Sequence, residues 1–189
     1  MLAMLTIACQ NQDSLIGDSY FEQGDYLEAI NAYDAYLELK PRHTKTIYNR
    51  GRCYQELGRY EEAVHDFEKV LDQDPKNVHA LLSMGQEMYR QEAYNSTILY
   101  CEKAIAEDRS NAMAYYLSGR SLHKMGLVID ALENYSKAIN INPEFGEAYF
   151  HRSAINLYLD KKAAACRDLA LAVRLKVPGA EDVKNDNCE

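Results

Sequence analysis

Five histidines, five cysteines and 29 acidic residues are the groups in this 189-residue chain that could do acid–base, nucleophilic or metal chemistry. The histidines are His43, His65, His79, His123 and His151. None pairs with another at the i, i+4 spacing that puts two ligands on one helix face, and none joins a cysteine cluster, so no zinc site is written here. Cys-x-x-Cys, phosphate-loop, Gly-x-Ser-x-Gly and His-Glu-x-x-His motifs are all absent. Glu61 with Glu62, and Asp72 with Asp74, resemble catalytic carboxylate pairs. They fall where helices should start and end, where a capping or solvated role is expected instead. No catalytic constellation remains, and the sequence predicts neither an enzyme nor a cofactor or metal.

Composition narrows the class further. Apolar residues make up 47% and charged residues 26%, a globular mix. A net charge of −8 gives no general reason to bind nucleic acid. No run of 18 apolar residues occurs, so no membrane-spanning helix is expected. The aromatics are 15 Tyr and 4 Phe with no Trp.

The elements that must carry any function follow a period of 34 residues. Gly17, Gly51, Gly85 and Gly119 share it, as do Pro41, Pro75 and Pro143, with Arg109 in the remaining place. Ala29, Ala63 and Ala131 keep it, with Thr97 in the gap, and so do Tyr33, Phe67 and Tyr135, with Cys101 in the gap. Each repeat divides into two helices, about positions 1–14 and 18–30. Small residues at positions 8 and 20 let them approach closely. Gly24, Gly58 and Gly126 at position 15 suit the end of the first helix, and proline at position 32 ends the second. The third repeat has Glu92 and Arg109 at those two places, and a looser turn is expected at Gln91, Glu92 and Ala93.

The segments GDYLEAINAYDAYLELKP (Gly24–Pro41) and GRYEEAVHDFEKVLDQDP (Gly58–Pro75) resemble the tetratricopeptide repeat. The resemblance implies an all-α fold, a right-handed α-solenoid of five helix-turn-helix units at 10–43, 44–77, 78–111, 112–145 and 146–179. A short capping helix within 180–189 would close the last apolar face. It also implies a non-catalytic scaffold whose first helices line a groove at positions 2, 5, 9, 12 and 13. Carried over, those positions give Lys45, Tyr48, Arg52, His79, Tyr89, Arg90, Tyr116, Arg120, His123, Lys124, Phe150 and Tyr158 as peptide-binding candidates. In repeats two to four the groove positions hold Lys45, Arg52, Arg90, Arg120 and Lys124 against one acid, Glu56. An acidic protein would thus carry a basic, tyrosine-lined strip, suited to an extended acidic or C-terminal peptide. Phe150, Leu157 and Tyr158 would accept an apolar residue at one end. The two-carboxylate clamp by which some family members hold chaperone tails is not matched in either frame, with Tyr48, Arg52, Ser83, Met113 and Leu117 in one and Ser14, Asp18, Asn49, His79 and Ser83 in the other.

The remaining cysteines bear on location. Residues 1–9, MLAMLTIAC followed by polar residues, resemble the end of a bacterial lipoprotein signal with Cys9 as the lipidated residue. Threonine stands where leucine is usual and no basic region precedes it; the alternative is an apolar extension covering the first repeat. Cys53 and Cys101 are expected buried and unpaired. The cap should pack on the helix bearing Cys166, so Cys166 and Cys188 could meet. The C-terminal segment also resembles the ends of Bacteroidetes tetratricopeptide repeat proteins, which implies that pairing as a disulfide. Together these point to a lipid-anchored protein on the periplasmic face of a bacterial cell-envelope membrane, with a protein or peptide partner. The alternatives are a cytoplasmic cochaperone or signalling adaptor, and a regulatory subunit that recruits an enzyme.

Overall fold

The structure, a computed structural model, describes residues 14–188; residues 1–9, with the expected lipidation at Cys9, lie outside the described residues. Helix α1 is described over 14–23. It is followed by α2 (Tyr26–Leu39), α3 (Thr44–Glu56), α4 (Tyr60–Gln73), α5 (Val78–Arg90) and α6 (Tyr94–Glu107). Then come α7 (Ala112–Lys124), α8 (Val128–Ile141), α9 (Gly146–Tyr158), α10 (Lys162–Arg174) and α11 (Ala180–Asn187). No strand occurs among the described residues, and no helix there is long and apolar enough to cross a membrane. Packing divides the chain into an N-terminal unit ending at Met84 and a C-terminal unit starting at Gly85.

The turn inside each repeat is built the same way five times. The residue at position 15 takes a left-handed conformation: Gly24 (φ 81°), Gly58 (72°), Glu92 (59°), Gly126 (78°) and Asp160 (57°). In the third repeat the Glu92 and Ala93 N–H groups donate to Tyr89 and Met88 carbonyls at 3.0 and 2.9 Å. Gly58 and Arg59 make the equivalent bonds to Gln55 and Tyr54 at 3.0 and 2.8 Å. The turn expected to be looser therefore keeps the common geometry, because the same two backbone hydrogen bonds close it around a glutamate in a conformation that glycine adopts freely.

Nor is proline required to end the second helix. Helix α6 stops at Glu107, the same repeat position as Gln73 and Ile141, although Arg109 follows instead of proline. The Asp108 carboxylate accepts from the Ser110 N–H at 2.9 Å, as Asp74 does from Lys76 at 3.2 Å and the Asn142 side chain from Glu144 at 3.0 Å. This side-chain turn takes the chain out of the helix.

The glycine at position 8 faces the aromatic ring at position 24. A Cβ on Gly51 would lie 2.7 Å from the Phe67 ring, and one on Gly119 2.9 Å from the Tyr135 ring. In the N-terminal unit Tyr33 packs with Ala29, Ile30 and Cys53, and Val70 with Leu37, Ile47 and Ala80. In the C-terminal unit one cluster gathers Tyr116, Ala131, Tyr135, Ala138, Ala148, Tyr149, Ile155 and Ala172. Cys53 and Cys101 are buried and free, and burial pushes both thiols up to about 12. Cys166 on α10 is joined by a disulfide to Cys188, the residue after α11, and Gly179 (φ 76°) turns the chain into α11.

Candidate functional site

In the N-terminal unit the candidate groove residues are largely spoken for. Lys45 Nζ lies 2.8 Å from Asp18 Oδ2. The Tyr33 hydroxyl and Asn49 Nδ2 both donate to Asp18 Oδ1 at 2.8 Å. Burial would raise the Asp18 carboxyl, but the hydrogen bonds from Lys45, Tyr33 and Asn49 outweigh it and hold it below the ordinary aspartate range. Burial and the Asp18 charge push the Tyr33 phenol far up. Arg52 reaches Glu56 at 3.6 Å and lies over the Phe21 ring. Tyr48 sits between the Phe67 and His79 rings, 5.7 and 5.9 Å away, and its hydroxyl is 3.4 Å from that of Ser83. A hollow of about 350 Å³ lies here, lined by Thr44, Lys45, Tyr48, Asp74, Asn77 and His79, one lysine balanced by one aspartate.

In the C-terminal unit Arg90 Nε lies 2.9 Å from Glu87 Oε2, and Glu87 is only 3% exposed. Three of the five cations expected to charge the strip are thus neutralised within their own unit. The basic excess was overstated because Glu87 stands at position 10, outside the groove positions, yet turns its carboxylate to Arg90. Tyr116, expected as a contact, is 8% exposed, with its ring centroid 4.6 Å from that of Phe145. It belongs to the core, because a tyrosine at position 5 here packs inward against α8 and α9. Phe150 is half-buried against the same core, whereas Tyr158 is 77% exposed.

Arg120 and Lys124 differ from the other three cations. Neither has a carboxylate partner among the described residues. Arg120 lies over the Tyr89 ring at 4.4 Å and the Tyr116 ring at 5.7 Å. With Tyr89, His123, Tyr135 and His151 they line a hollow of about 430 Å³ that contains no acidic residue. His151 stacks on Tyr135 at 5.8 Å and 19°. Burial, then the charges of Arg120, His123 and Lys124, depress the His151 imidazole to about 4. Burial and Lys124 lower His123 as well. Both rings are therefore neutral at neutral pH. Sequence reasoning placed Tyr89, Arg120, His123 and Lys124 here but missed His151 and Tyr135, which stand at repeat positions 6 and 24, outside the groove pattern. Among the described residues no cluster of His, Cys, Asp or Glu is placed to hold a metal ion.

Comparison with known proteins places this geometry in a family. Tetratricopeptide repeat models match residues 16–85 and 112–145, together more than half of the chain. Among solved structures, a crystal structure of MamA protein superposes with a TM-score of 0.74 and 26% identity, covering 91% of this chain and 94% of that one. MamA 41-end from Desulfovibrio magneticus RS-1 gives a TM-score of 0.78 at 22% identity, with 88% and 94% covered. YrrB, described as a TPR protein with an unusual peptide-binding site, gives 0.70 at 20%, with 92% and 90% covered. None of the curated proteins matches the chain.

Proposed function

Because this chain belongs to the tetratricopeptide repeat family, whose members are protein-interaction scaffolds, we propose that it is a non-catalytic adaptor for an extended acidic peptide or an acidic partner surface. The observation that carries this reading is the pair Arg120 and Lys124, cations without an acidic partner beside the half-buried Tyr89. Arginine grips a carboxylate in two places, and tyrosine adds contact area at low entropic cost. YrrB, which has the same fold, is described as having a peptide-binding site. The adaptor works at a bacterial cell envelope, held by lipid on Cys9; the lipoprotein-like residues 1–9 support that placement. A disulfide between Cys166 and Cys188 suits an oxidising compartment.

Fluorescence anisotropy with labelled acidic, neutral and basic peptides tests the binding reading. Acidic peptides should bind selectively, with affinity falling as salt rises. Arg120→Glu with Lys124→Glu should abolish binding, whereas Arg52→Glu, at a residue already paired with Glu56, should weaken it far less. Equal binding of all three peptide classes would overturn the reading. Palmitate labelling of wild type and Cys9→Ser tests the anchor, and an unlabelled, soluble wild-type protein would remove it.

A further inference from the structure

The N-terminal unit contains a template for the hollow of the C-terminal unit. There the Tyr33 hydroxyl and the Asn49 amide both donate to one carboxylate oxygen of Asp18. The residues three periods of 34 further on are Tyr135, His151 and Arg120. The two donor places are kept, a phenol and an imidazole, but the acceptor has become a cation. The Tyr135 hydroxyl is consequently buried without a hydrogen-bond partner, the one buried side-chain polar atom so placed among the described residues.

Packing does not require that hydroxyl. Phe67 fills the same repeat position against Gly51 as Tyr135 does against Gly119. An unpartnered buried hydroxyl forfeits its hydration without compensation, and folded proteins keep few of them. Donors and cations from four helices meet here without a carboxylate: Tyr89 on α5, Arg120, His123 and Lys124 on α7, Tyr135 on α8 and His151 on α9. No acid lines the hollow, although the charge of Glu147 reaches Tyr116 beside it. Glu87 on α5 is paired with Arg90, and Glu147 on α9, one turn before His151, is exposed and outside the lining.

We infer that this hollow is a carboxylate-binding site, in which a carboxylate of the bound peptide takes the place that the Asp18 carboxylate holds in the first repeat, accepting from Tyr135 and His151 and facing Arg120 and Lys124. The inference rests on the peptide reading above and gives it an anchor. It also makes binding proton-linked. An anion cancels the positive field that, with burial, keeps His151 neutral, so His151 takes up a proton as the carboxylate enters. Affinity then rises as pH falls below neutral, for as long as the carboxylate itself stays ionised.

The test uses NMR of the full chain, following the ring protons of His151 and His123 in an acetate titration, with acetamide as the uncharged control. Acetate should shift the His151 ring signal and raise its titration midpoint, and acetamide should do neither. Tyr135→Phe should weaken acetate about tenfold, the effect of one hydrogen bond to a charged group, while thermal stability stays equal or rises. In the peptide assay, replacing Asp and Glu by Asn and Gln reports on side-chain carboxylates, and amidating the C-terminus reports on the terminal one. Acetate that leaves His151 unmoved, or Tyr135→Phe that binds acetate as wild type does, overturns the inference. Acidic peptides that still bind in that case would leave the adaptor reading intact, and a moved His151 without peptide binding would do the reverse.

Discussion

Arg50 on α3 holds Asp66 on α4 with both arms of its guanidinium, Nε donating to Oδ2 and Nη2 to Oδ1, each at 2.7 Å. Its third nitrogen reaches Asp34 on α2. Three periods later Arg152 on α9 does the same to Asp168 on α10 at 2.9 and 2.8 Å, and reaches Ser136 on α8 at 3.1 Å. Each arginine therefore ties together three consecutive helices of its own unit. Asp66 is 1% exposed, so its carboxylate depends on that partner and on Lys69, whose Nζ lies 3.6 Å from Oδ1.

Removing the partner should be costly, whereas removing both should not. Arg50→Ala leaves the buried Asp66 carboxylate with only Lys69, 3.6 Å away, and should destabilise the N-terminal unit by about 3 kcal/mol, the low end for a broken buried pair. Arg50→Met with Asp66→Leu replaces the pair by apolar volume and should recover most of that loss. Urea denaturation of the wild type, the single variant and the double variant measures both. A double variant no more stable than Arg50→Ala would show that the pair's own attraction dominates.

Glu92 and Asp160 occupy the left-handed turn position that glycine holds in three other repeats. A left-handed backbone costs a residue with a Cβ about 1–2 kcal/mol, less for aspartate, whose short polar side chain tolerates it. Glu92→Gly should therefore raise stability by about 1 kcal/mol, and Asp160→Gly by less. Thermal melts check the order, and a Glu92→Gly protein that melts lower would mean that the glutamate side chain contributes more than its backbone strain.

The position-8 glycines should divide by what stands opposite them. In Gly51→Ala the new methyl meets the Phe67 ring at 2.7 Å, with backbone-adjacent Asp66 Cβ at 3.3 Å, and neither yields easily. Overpacking of this kind costs about 1–3 kcal/mol. In Gly85→Ala the nearest atom is the tip of Leu117 at 3.3 Å, and Cys101 Sγ is 3.7 Å away. The gain in helix propensity, about 1 kcal/mol, should then offset the contact or exceed it. Paired denaturation curves distinguish the two sites, and equal losses would put the glycines down to backbone demands alone.

The fold was legible because its signals repeat. One glycine at position 15 is weak evidence for a turn, but Gly24, Gly58 and Gly126 on one period set both the helix pair and the register. The turn at Glu92 was misjudged because its backbone hydrogen bonds form without the glycine that usually marks it, and at Arg109 the Asp108 side chain stands in for the usual proline. The candidate site was half legible. A list of outward positions found Arg120 and Lys124, but it treats each residue alone. It misjudged the charge balance because it could not see Glu87 turn to Arg90, and it placed Tyr116 outside a core that the structure puts it in. The replacement of Asp18 by Arg120 beside a kept tyrosine was visible in the sequence and acquires meaning only once Tyr33 is seen to donate to Asp18.

His151 should make stability depend on pH in a window whose upper part lies above the range where carboxylates titrate. Its imidazole is depressed to about 4 in the folded chain, first by burial and then by Arg120, His123 and Lys124. In the unfolded chain it titrates near 6.5. Between those values the unfolded state binds a proton that the folded state refuses, so stability falls as pH drops from about 6.5 towards 4 and is flat above that window. From about pH 7 to pH 5 the loss attributable to this ring is roughly 2 kcal/mol. His123, lowered by burial and Lys124, adds to the same slope. Replacing the ring by a group that does not titrate, His151→Gln, should flatten most of the slope and leave the His123 remainder. Denaturation free energies at several pH values read this directly. A slope unchanged by His151→Gln would mean that the ring is charged in the folded chain, with Arg120 and Lys124 too far away or too well solvated to oppose it.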